Sequence, residues 1–211
     1  MSGDVPDQDA MGSLVRQLAI FQQETSSIIN IFLYLTLAIF IIYIIFQGLS
    51  WKYCFKAAKI KIKSNLGFFI RFSLLNVVWF ALVALSVYVI ADKYFKSALA
   101  QDAGFNPLLY IIPIGVILIY FSMISYTIIR NNSLINTIFK TFSMGVKKAI
   151  YILPAFLIIA VLFLIIDLIL IGLYKVSSIA MISAGFILII PSIIWSKLFL
   201  IELINKIEKK K

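Results

Sequence analysis

The sequence predicts an all-α fold, a polytopic membrane helix bundle with about five transmembrane helices and two basic amphipathic interfacial helices. Two observations predict this class. The 211 residues are 63% hydrophobic with a mean hydropathy of +1.06, which is far more apolar than a soluble domain with an ordinary polar surface. The apolar residues also form runs of about 20 residues, the helix length that crosses a hydrocarbon core of about 30 Å.

The five apolar runs lie near residues 28–49, 68–91, 108–130, 150–174 and 178–203. They are apolar at odd and even positions alike, whereas the strands of a membrane barrel alternate polar and apolar residues, so helices are expected. Because the runs take up most of the chain, we expect one membrane domain over residues 28–203. A partly disordered lead over 1–27 precedes it, without the basic start of a signal peptide. A basic cytoplasmic tail over 204–211 follows it.

Basic residues sort to one side of this predicted topology. Of the 19 lysines and arginines, 15 flank the connections after the first and third spans or accompany the C-terminal end. They are Lys52, Lys56, Lys59, Lys61, Lys63, Arg71, Arg130, Lys140, Lys147, Lys148, Lys197, Lys206, Lys209, Lys210 and Lys211. Since cytoplasmic loops carry an excess of lysine and arginine, we expect a multi-pass protein of the cell membrane with its N-terminus outside and its C-terminus in the cytoplasm.

The first basic connection has the spacing of an amphipathic helix. Its apolar residues recur at helical intervals along one face, and its lysines repeat the same spacing on a neighbouring face. The apolar face contains Trp51, Cys54, Phe55, Ala58 and Ile62, and the basic face contains Lys52, Lys56, Lys59 and Lys63. Asn65 and Gly67 are expected to end this helix before the second span. The pattern predicts a helix in the inner membrane interface, with its lysines at the lipid headgroups.

The second basic connection repeats this arrangement with fewer charges. Its predicted apolar face contains Leu134, Ile138, Phe142 and Val146, and its predicted polar face contains Asn136, Lys140, Ser143 and Lys147. Two interpretations remain for the lysines of both connections. They either serve only membrane topology, or they bind anionic lipid or an acidic partner, each cation near the surface contributing about 1 kcal/mol. The first connection is the better candidate for binding.

Asp167 stands alone in the apolar stretch "VLFLIIDLILIG" of the fourth span. At about 1.5 Å per residue it lies roughly 10 Å inside the outer end marked by Tyr174. A carboxylate in hydrocarbon costs about 2.5 to 3.5 kcal/mol, so the side chain is expected to face the bundle, uncharged or hydrogen-bonded. Three interpretations remain: a clasp for helix packing, a proton or cation site of a small transporter, and a contact to another subunit.

Other polar residues are expected within or near the spans. The donors expected at a similar depth are Tyr34, Thr36, Ser86 and Ser183, and Lys175 is near enough to reach down from the outer interface. Asn76 and Trp79 of the second span are the other residues predicted to lie deep within a span.

The basic helices between apolar spans, and the C-terminal "FILIIPSIIWSKLFLIELINKIEKK", resemble a broad group of small prokaryotic membrane proteins. In pattern these are similar to the membrane domain of glycerophosphodiester phosphodiesterases. The resemblance covers most of the spans and includes no specific motif. It implies an integral membrane protein and no catalytic residues.

The residues that most catalytic and metal sites need are scarce. The chain contains no histidine and one cysteine, Cys54, so metal ligands, histidine-based catalysis and an internal disulfide are not expected. We therefore expect a protein that is not an enzyme, binds no metal or cofactor, and organises lipids or partner proteins through its basic face. The alternative is a small transporter or channel centred on Asp167. The expected partners are membrane lipids, a protein or a second copy of the chain, and no nucleic acid.

Overall fold

The computed structural model describes residues 8–62, 64–99, 106–130 and 132–209, and their side chains except those of 8–20, 22–26, 29 and 98. The described chain contains six helices and no strand. They are α1 (Gln8–Ala57), α2 (Asn65–Leu99), α3 (Leu108–Ile128), α4 (Leu134–Lys147), α5 (Ala149–Tyr174) and α6 (Ser178–Lys209). The predicted all-α class is confirmed.

Five of the six helices are long and apolar enough to cross a membrane, and these are α1, α2, α3, α5 and α6. This confirms the prediction of about five spans. Four of the apolar runs lie within one of these helices, and the third run extends two residues beyond the end of α3. The first and last helices are longer than predicted. Helix α1 already begins at Gln8, so the part of the predicted lead from that residue onward is helical, and residues 1–7 lie outside the described part. Helix α6 continues through the predicted tail to Lys209.

Internal contacts divide the chain into two units, Met1–Phe46 and Gln47–Lys211. In its described part the first unit is one continuous helical segment, the main part of α1. Its large apolar side chains from Ile28 to Phe46 are mostly exposed. The second unit contains the last turns of α1 and the five other helices, together with the buried core.

The first predicted interfacial helix is not a separate helix. Helix α1 runs without interruption through the basic connection and ends at Ala57. The chain then turns through Lys59, whose φ of 57° is left-handed, with hydrogen bonds from Lys59 N to Lys56 O at 3.0 Å and from Ile60 N to Phe55 O at 2.9 Å. This pair of bonds is the Schellman arrangement that ends many helices.

The predicted apolar face of this connection exists, but it packs against protein. Trp51, Cys54 and Phe55 are buried in the core of the second unit, and Ala58 and Ile62 pack against that core. The residues expected to stop the helix, Asn65 and Gly67, instead lie in the first turn of α2. Ser64 Oγ accepts a hydrogen bond from Gly67 N at 3.2 Å at that start. The prediction of an interfacial helix at this position was wrong because tertiary packing used the apolar face.

The second basic connection forms a separate helix, α4, as predicted. Ser133 caps its first turn, because its side chain accepts a hydrogen bond from Asn136 N. The buried residues of α4 are Thr137, Thr141, Met144 and Gly145, and Gly145 allows a close approach to α3, where Tyr120 donates from its hydroxyl to Gly145 O at 2.8 Å. The predicted apolar face was displaced by part of a turn, since Leu134 and Ile138 pack inward while Phe142 and Val146 are exposed.

The core of the second unit is concentrated at the end where the basic connections lie. Aromatic rings dominate one cluster, which joins the end of α1, the first half of α2, the end of α3 and α6. It contains Trp51, Phe55, Phe68, Phe72, Leu75, Trp79, Tyr126, Ile129 and Ile201. A second cluster joins α3, α4, α5 and α6 through Ile124, Ile128, Met144, Ile152 and Ile204. The end of the unit that carries the two basic connections is therefore its packed end.

Candidate functional site

The predicted lipid-binding lysines of the first connection have different environments. Lys56 and Lys59 are exposed. Lys52 is half-buried, with its Nζ 5.8 Å from the ring centroid of Phe69, and Lys63 lies outside the described residues. The four lysines therefore do not form one uniform face, because α1 ends between the second and third of them. Of these four predicted lysines, Lys56 and Lys59 are the exposed ones among the described residues, and the neighbouring Lys61 is exposed as well.

The two predicted lysines of α4 also differ. Lys147 is exposed and forms no ion pair with the residues whose side chains the structure describes. Lys140 Nζ lies 2.6 Å from Glu208 Oε1 of α6. The other oxygen of the same carboxylate, Glu208 Oε2, is 3.0 Å from Arg130. The carboxylate thus joins α6 to the chain after α3 and to α4, and the sequence prediction did not include this link.

Arg71 supports the same end of the unit from α2. Its guanidinium donates to the main-chain oxygens of Asn132 at 2.9 Å and Arg130 at 3.4 Å, just after α3 ends. Its Nε donates to Gly67 O within α2 at 2.8 Å. Carbonyls beyond a helix end lack partners within the helix, so an arginine that reaches them stabilises that end. This arginine helps to position the loop that leads into α4.

Asn76 is buried, and its side chain joins α2 to α3. Its Nδ2 donates to Phe72 O at 2.7 Å within α2, and its Oδ1 accepts from Tyr126 OH of α3 at 2.8 Å. One turn further on, Trp79 Nε1 donates to Ser125 Oγ at 2.9 Å. Buried polar groups need such partners, and these pairs fix the register of the two helices.

Lys197 is the main functional candidate that sequence reasoning missed. Its side chain is 3% exposed in α6, and its Nζ donates to Gln47 Oε1 at 2.8 Å and to Ser50 Oγ at 2.7 Å in the last turns of α1. The same ammonium lies 5.3 Å from the ring centroid of Trp51, a cation–π distance. A lysine near a predicted cytoplasmic helix end matches the topology rule, so the sequence offered no sign of burial.

Within the second unit, Asp167 does not point into the packed core. Its side chain is exposed on α5 and forms no hydrogen bond or ion pair with the residues whose side chains are described. It borders a shallow groove whose other lining residues are all apolar: Phe163, Leu164, Ile166, Leu170 and Ile189. Ser86, an expected donor, bonds instead to Leu82 O in its own helix. A helix apolar on every side gives no periodicity from which the inward face can be recognised.

The described residues offer no site for a metal ion, because they contain no group of three or more histidine, cysteine, aspartate or glutamate side chains in reach of one another. Cys54 is a free thiol, 4% exposed within the aromatic core. It is therefore a packing residue in this fold and is not accessible to modification.

The described geometry is that of a membrane helix bundle with a packed, basic end. Comparisons with protein families, curated proteins and solved structures found no match to this chain. The similarity to the membrane domain of glycerophosphodiester phosphodiesterases therefore stays a prediction.

Proposed function

We propose that this protein is a non-catalytic integral membrane protein of the cell membrane, and that it organises anionic lipids through its basic end. The basic end is defined as the end of α1 with its connection to α2, together with α4 and the C-terminal turns of α6. Because cytoplasmic loops of membrane proteins carry an excess of lysine and arginine, we assign this end to the cytoplasm. A protein partner with an acidic surface is the other ligand that this chemistry suits.

The observation that carries the proposal is the division of α4 into three faces. One face packs on the protein through Thr137, Thr141, Met144 and Gly145. A second face is apolar and exposed, with Ile135, Phe139, Phe142 and Val146 at intervals of three and four residues. A third face is polar, with Asn136, Lys140, Ser143 and Lys147. A helix in the plane of a membrane interface needs such an apolar side for acyl chains and such a basic side for headgroups.

Exposed lysines from two connections support binding of anionic headgroups beside α4. Lys56 and Lys59 follow the buried Phe55, and Lys147 and Lys148 end α4. The two connections belong to one end of the unit, because Ala58 and Leu134 pack against the same aromatic cluster. Four cations at one membrane surface contribute about 1 kcal/mol each to association with anionic lipid.

Catalysis and transport have less support than lipid organisation. The chain contains no histidine, and Cys54 is buried. The alternative of a transporter at Asp167 requires a polar path, but the groove beside that residue is lined otherwise by apolar side chains. The buried side chains of Asn76 and Trp79 already form hydrogen bonds with Tyr126 and Ser125, respectively.

Lipid selectivity tests the proposal directly. We expect the purified protein, reconstituted with a spin-labelled phosphatidylglycerol and its phosphatidylcholine analogue, to restrict the anionic lipid preferentially at low salt. The variant with Lys56, Lys59, Lys147 and Lys148 replaced by glutamine should lose this preference by about tenfold or more, and the remaining preference should depend less on salt.

A matched control uses lysines from the opposite ends of the helices. The Lys93→Gln/Lys175→Gln variant removes two exposed cations and should keep the selectivity. It is compared with Lys147→Gln/Lys148→Gln, which removes the same number. Equal selectivity in the wild type and the quadruple variant contradicts lipid organisation by the basic end.

Cysteine labelling tests the assigned orientation. In a Cys54→Ala background, Lys206→Cys should react with a membrane-impermeant reagent only after cells are opened, whereas Lys93→Cys should react in intact cells. Lys93 and Lys206 are exposed, so a lack of reaction reflects the membrane barrier. Labelling of position 206 from outside intact cells overturns the orientation.

A further inference from the structure

One carboxylate at the basic end is held between two cations. Glu208 lies in the last turn of α6, and its Oε1 is 2.6 Å from Lys140 Nζ of α4. Its Oε2 is 3.0 Å from Arg130 Nη2, just after the end of α3, and the same nitrogen donates to Asn205 Oδ1 at 3.2 Å. These four residues define the Glu208 site. All of them belong to the second unit, so the contacts of the site are internal to that unit.

The charges of the Glu208 site do not balance. Arg130 and Lys140 each contribute a positive charge, and Glu208 contributes a single negative charge. Another cation lies close by, because the guanidinium of Arg71 donates to the main-chain oxygen of Arg130 at 3.4 Å. The side chains of Arg130 and Glu208 are only 15% and 20% exposed, so water screens the excess charge less than on an open surface. The site therefore favours an anion that carries more charge than a carboxylate.

A phosphomonoester matches the charge and the donors of this site better than a carboxylate does. It carries a charge of about −1.5 to −2 near neutral pH and presents three acceptor oxygens. Both contacts of Arg130 use Nη2, whereas a guanidinium fork can offer two parallel donors to a phosphate group. A phosphodiester headgroup carries a single negative charge, as the carboxylate does, and gains no such advantage.

Glu208 can leave the site without loss of the core. Its carboxylate is carried by a flexible side chain in the last turn of a helix, and helix ends have the lowest local stability in a fold. This end of α6 is anchored one turn earlier by the buried Ile204, whereas Ile207 is only partly buried. Rotation of the Glu208 side chain alone therefore frees both cations for another anion.

We propose that Arg130 and Lys140 form a binding site for a phosphomonoester group, and that Glu208 occupies this site in the absence of the ligand. At a membrane surface the source of such a group is a lipid of the phosphatidic acid type. The inference rests on the proposed function, because it takes the basic end to lie at a membrane surface. It names the headgroup, and it uses none of the four lysines whose replacement tests that function.

Removal of the internal carboxylate tests the site. The wild type and Glu208→Gln are reconstituted with spin-labelled phosphatidic acid or spin-labelled phosphatidylglycerol. We expect Glu208→Gln to raise the association with phosphatidic acid about fivefold and that with phosphatidylglycerol less, although the same substitution destabilises the fold. Lys140→Gln in the Glu208→Gln background should reverse this gain. Glu202→Gln is the matched control, since Glu202 is an exposed acid of the same helix outside the site.

Equal gains in phosphatidic acid association for Glu202→Gln and Glu208→Gln overturn the proposal, because net charge alone then explains them. It is also overturned if Glu208→Gln gives no gain, or the same gain with both lipids. Inorganic phosphate, added at constant ionic strength, distinguishes the source of the phosphate group. It should not displace the labelled phosphatidic acid, and displacement at millimolar concentration assigns the site to the free ion and overturns its assignment to a lipid.

The phosphate site and the proposed function fail separately. Equal lipid selectivity in the wild type and the quadruple lysine variant contradicts the proposed function. The comparison of Glu208→Gln with Glu202→Gln leaves those four lysines unchanged, so its failure contradicts the phosphate site alone.

Discussion

The Lys197 ammonium of α6 lies 5.3 Å from the ring centroid of Trp51 in the last turns of α1. Both residues are almost completely buried, and the ammonium also donates to Gln47 and Ser50. The positive charge is therefore held by neutral acceptors and an aromatic face. Burial of a charge in this way costs free energy that the contacts must offset.

Truncation of Lys197 should destabilise the fold strongly. Lys197→Ala leaves a cavity beside Trp51 and removes the donor for Gln47 and Ser50, so we expect a loss of about 3 kcal/mol. Lys197→Met keeps the volume and removes the buried charge, so its loss should be no more than about 1 kcal/mol. Unfolding in detergent followed by tryptophan fluorescence measures both variants, with the exposed Lys175→Ala as control. Equal losses of unfolding free energy in Lys197→Ala and Lys197→Met would contradict a net cost of burying the charge.

The Glu208 carboxylate should couple α4 to α6. Glu208→Gln breaks its ion pairs with Arg130 and Lys140 while it keeps the side-chain size, and we expect a loss of about 1 kcal/mol. The Lys140 side chain is 40% exposed, so solvent screens its part of the interaction. A double-mutant cycle with Lys140→Gln should give a coupling free energy of about 0.5 kcal/mol that decreases with salt.

The control for this coupling is the exposed pair of Lys96 and Asp92, which lie one turn apart in α2. Asp92→Asn should change stability by less than about 0.5 kcal/mol. A zero coupling between Glu208 and Lys140 at low salt means that the carboxylate acts through Arg130 alone.

The helices could be predicted from the sequence because bilayer thickness sets the length of an apolar run. Their lateral packing could not be predicted in the same way. Helix α5 is apolar on every side, so nothing in the spacing distinguishes the face that packs on α6 from the face that carries Asp167. The apolar face of Trp51 and Phe55 was recognised, but an amphipathic pattern does not tell whether protein or lipid covers that face. Lys197 shows the same limit for charged residues, because a lysine near a predicted helix end gives no sign of whether protein buries it.

Because α4 packs closely on α3, replacing Gly145 by a residue with a side chain should destabilise the fold. A Cβ atom at this position would lie 2.6 Å from Phe121 Cε1 and 3.3 Å from Tyr120 Cε1. Gly145→Ala should therefore displace the two rings and lower stability by about 1 to 3 kcal/mol. Gly115→Ala is the control, because nothing lies within 4 Å of its Cβ position. If the two variants unfold at the same temperature, the close contact of α4 with α3 is wrong.

Replacing Lys59 by glycine should stabilise the protein, because the φ of 57° at this position is left-handed. A residue with a Cβ atom pays about 1 kcal/mol for this conformation, and glycine adopts it freely. Lys59→Gly should thus raise the unfolding free energy by up to about 1 kcal/mol. Lys56→Gly is the matched control: it removes an equal charge from the last turn of α1, where glycine costs about 1 kcal/mol. Both variants should lose the same amount of anionic lipid selectivity, since each removes one exposed lysine, while their unfolding temperatures move in opposite directions. A lower unfolding temperature for both variants contradicts the left-handed turn that ends α1.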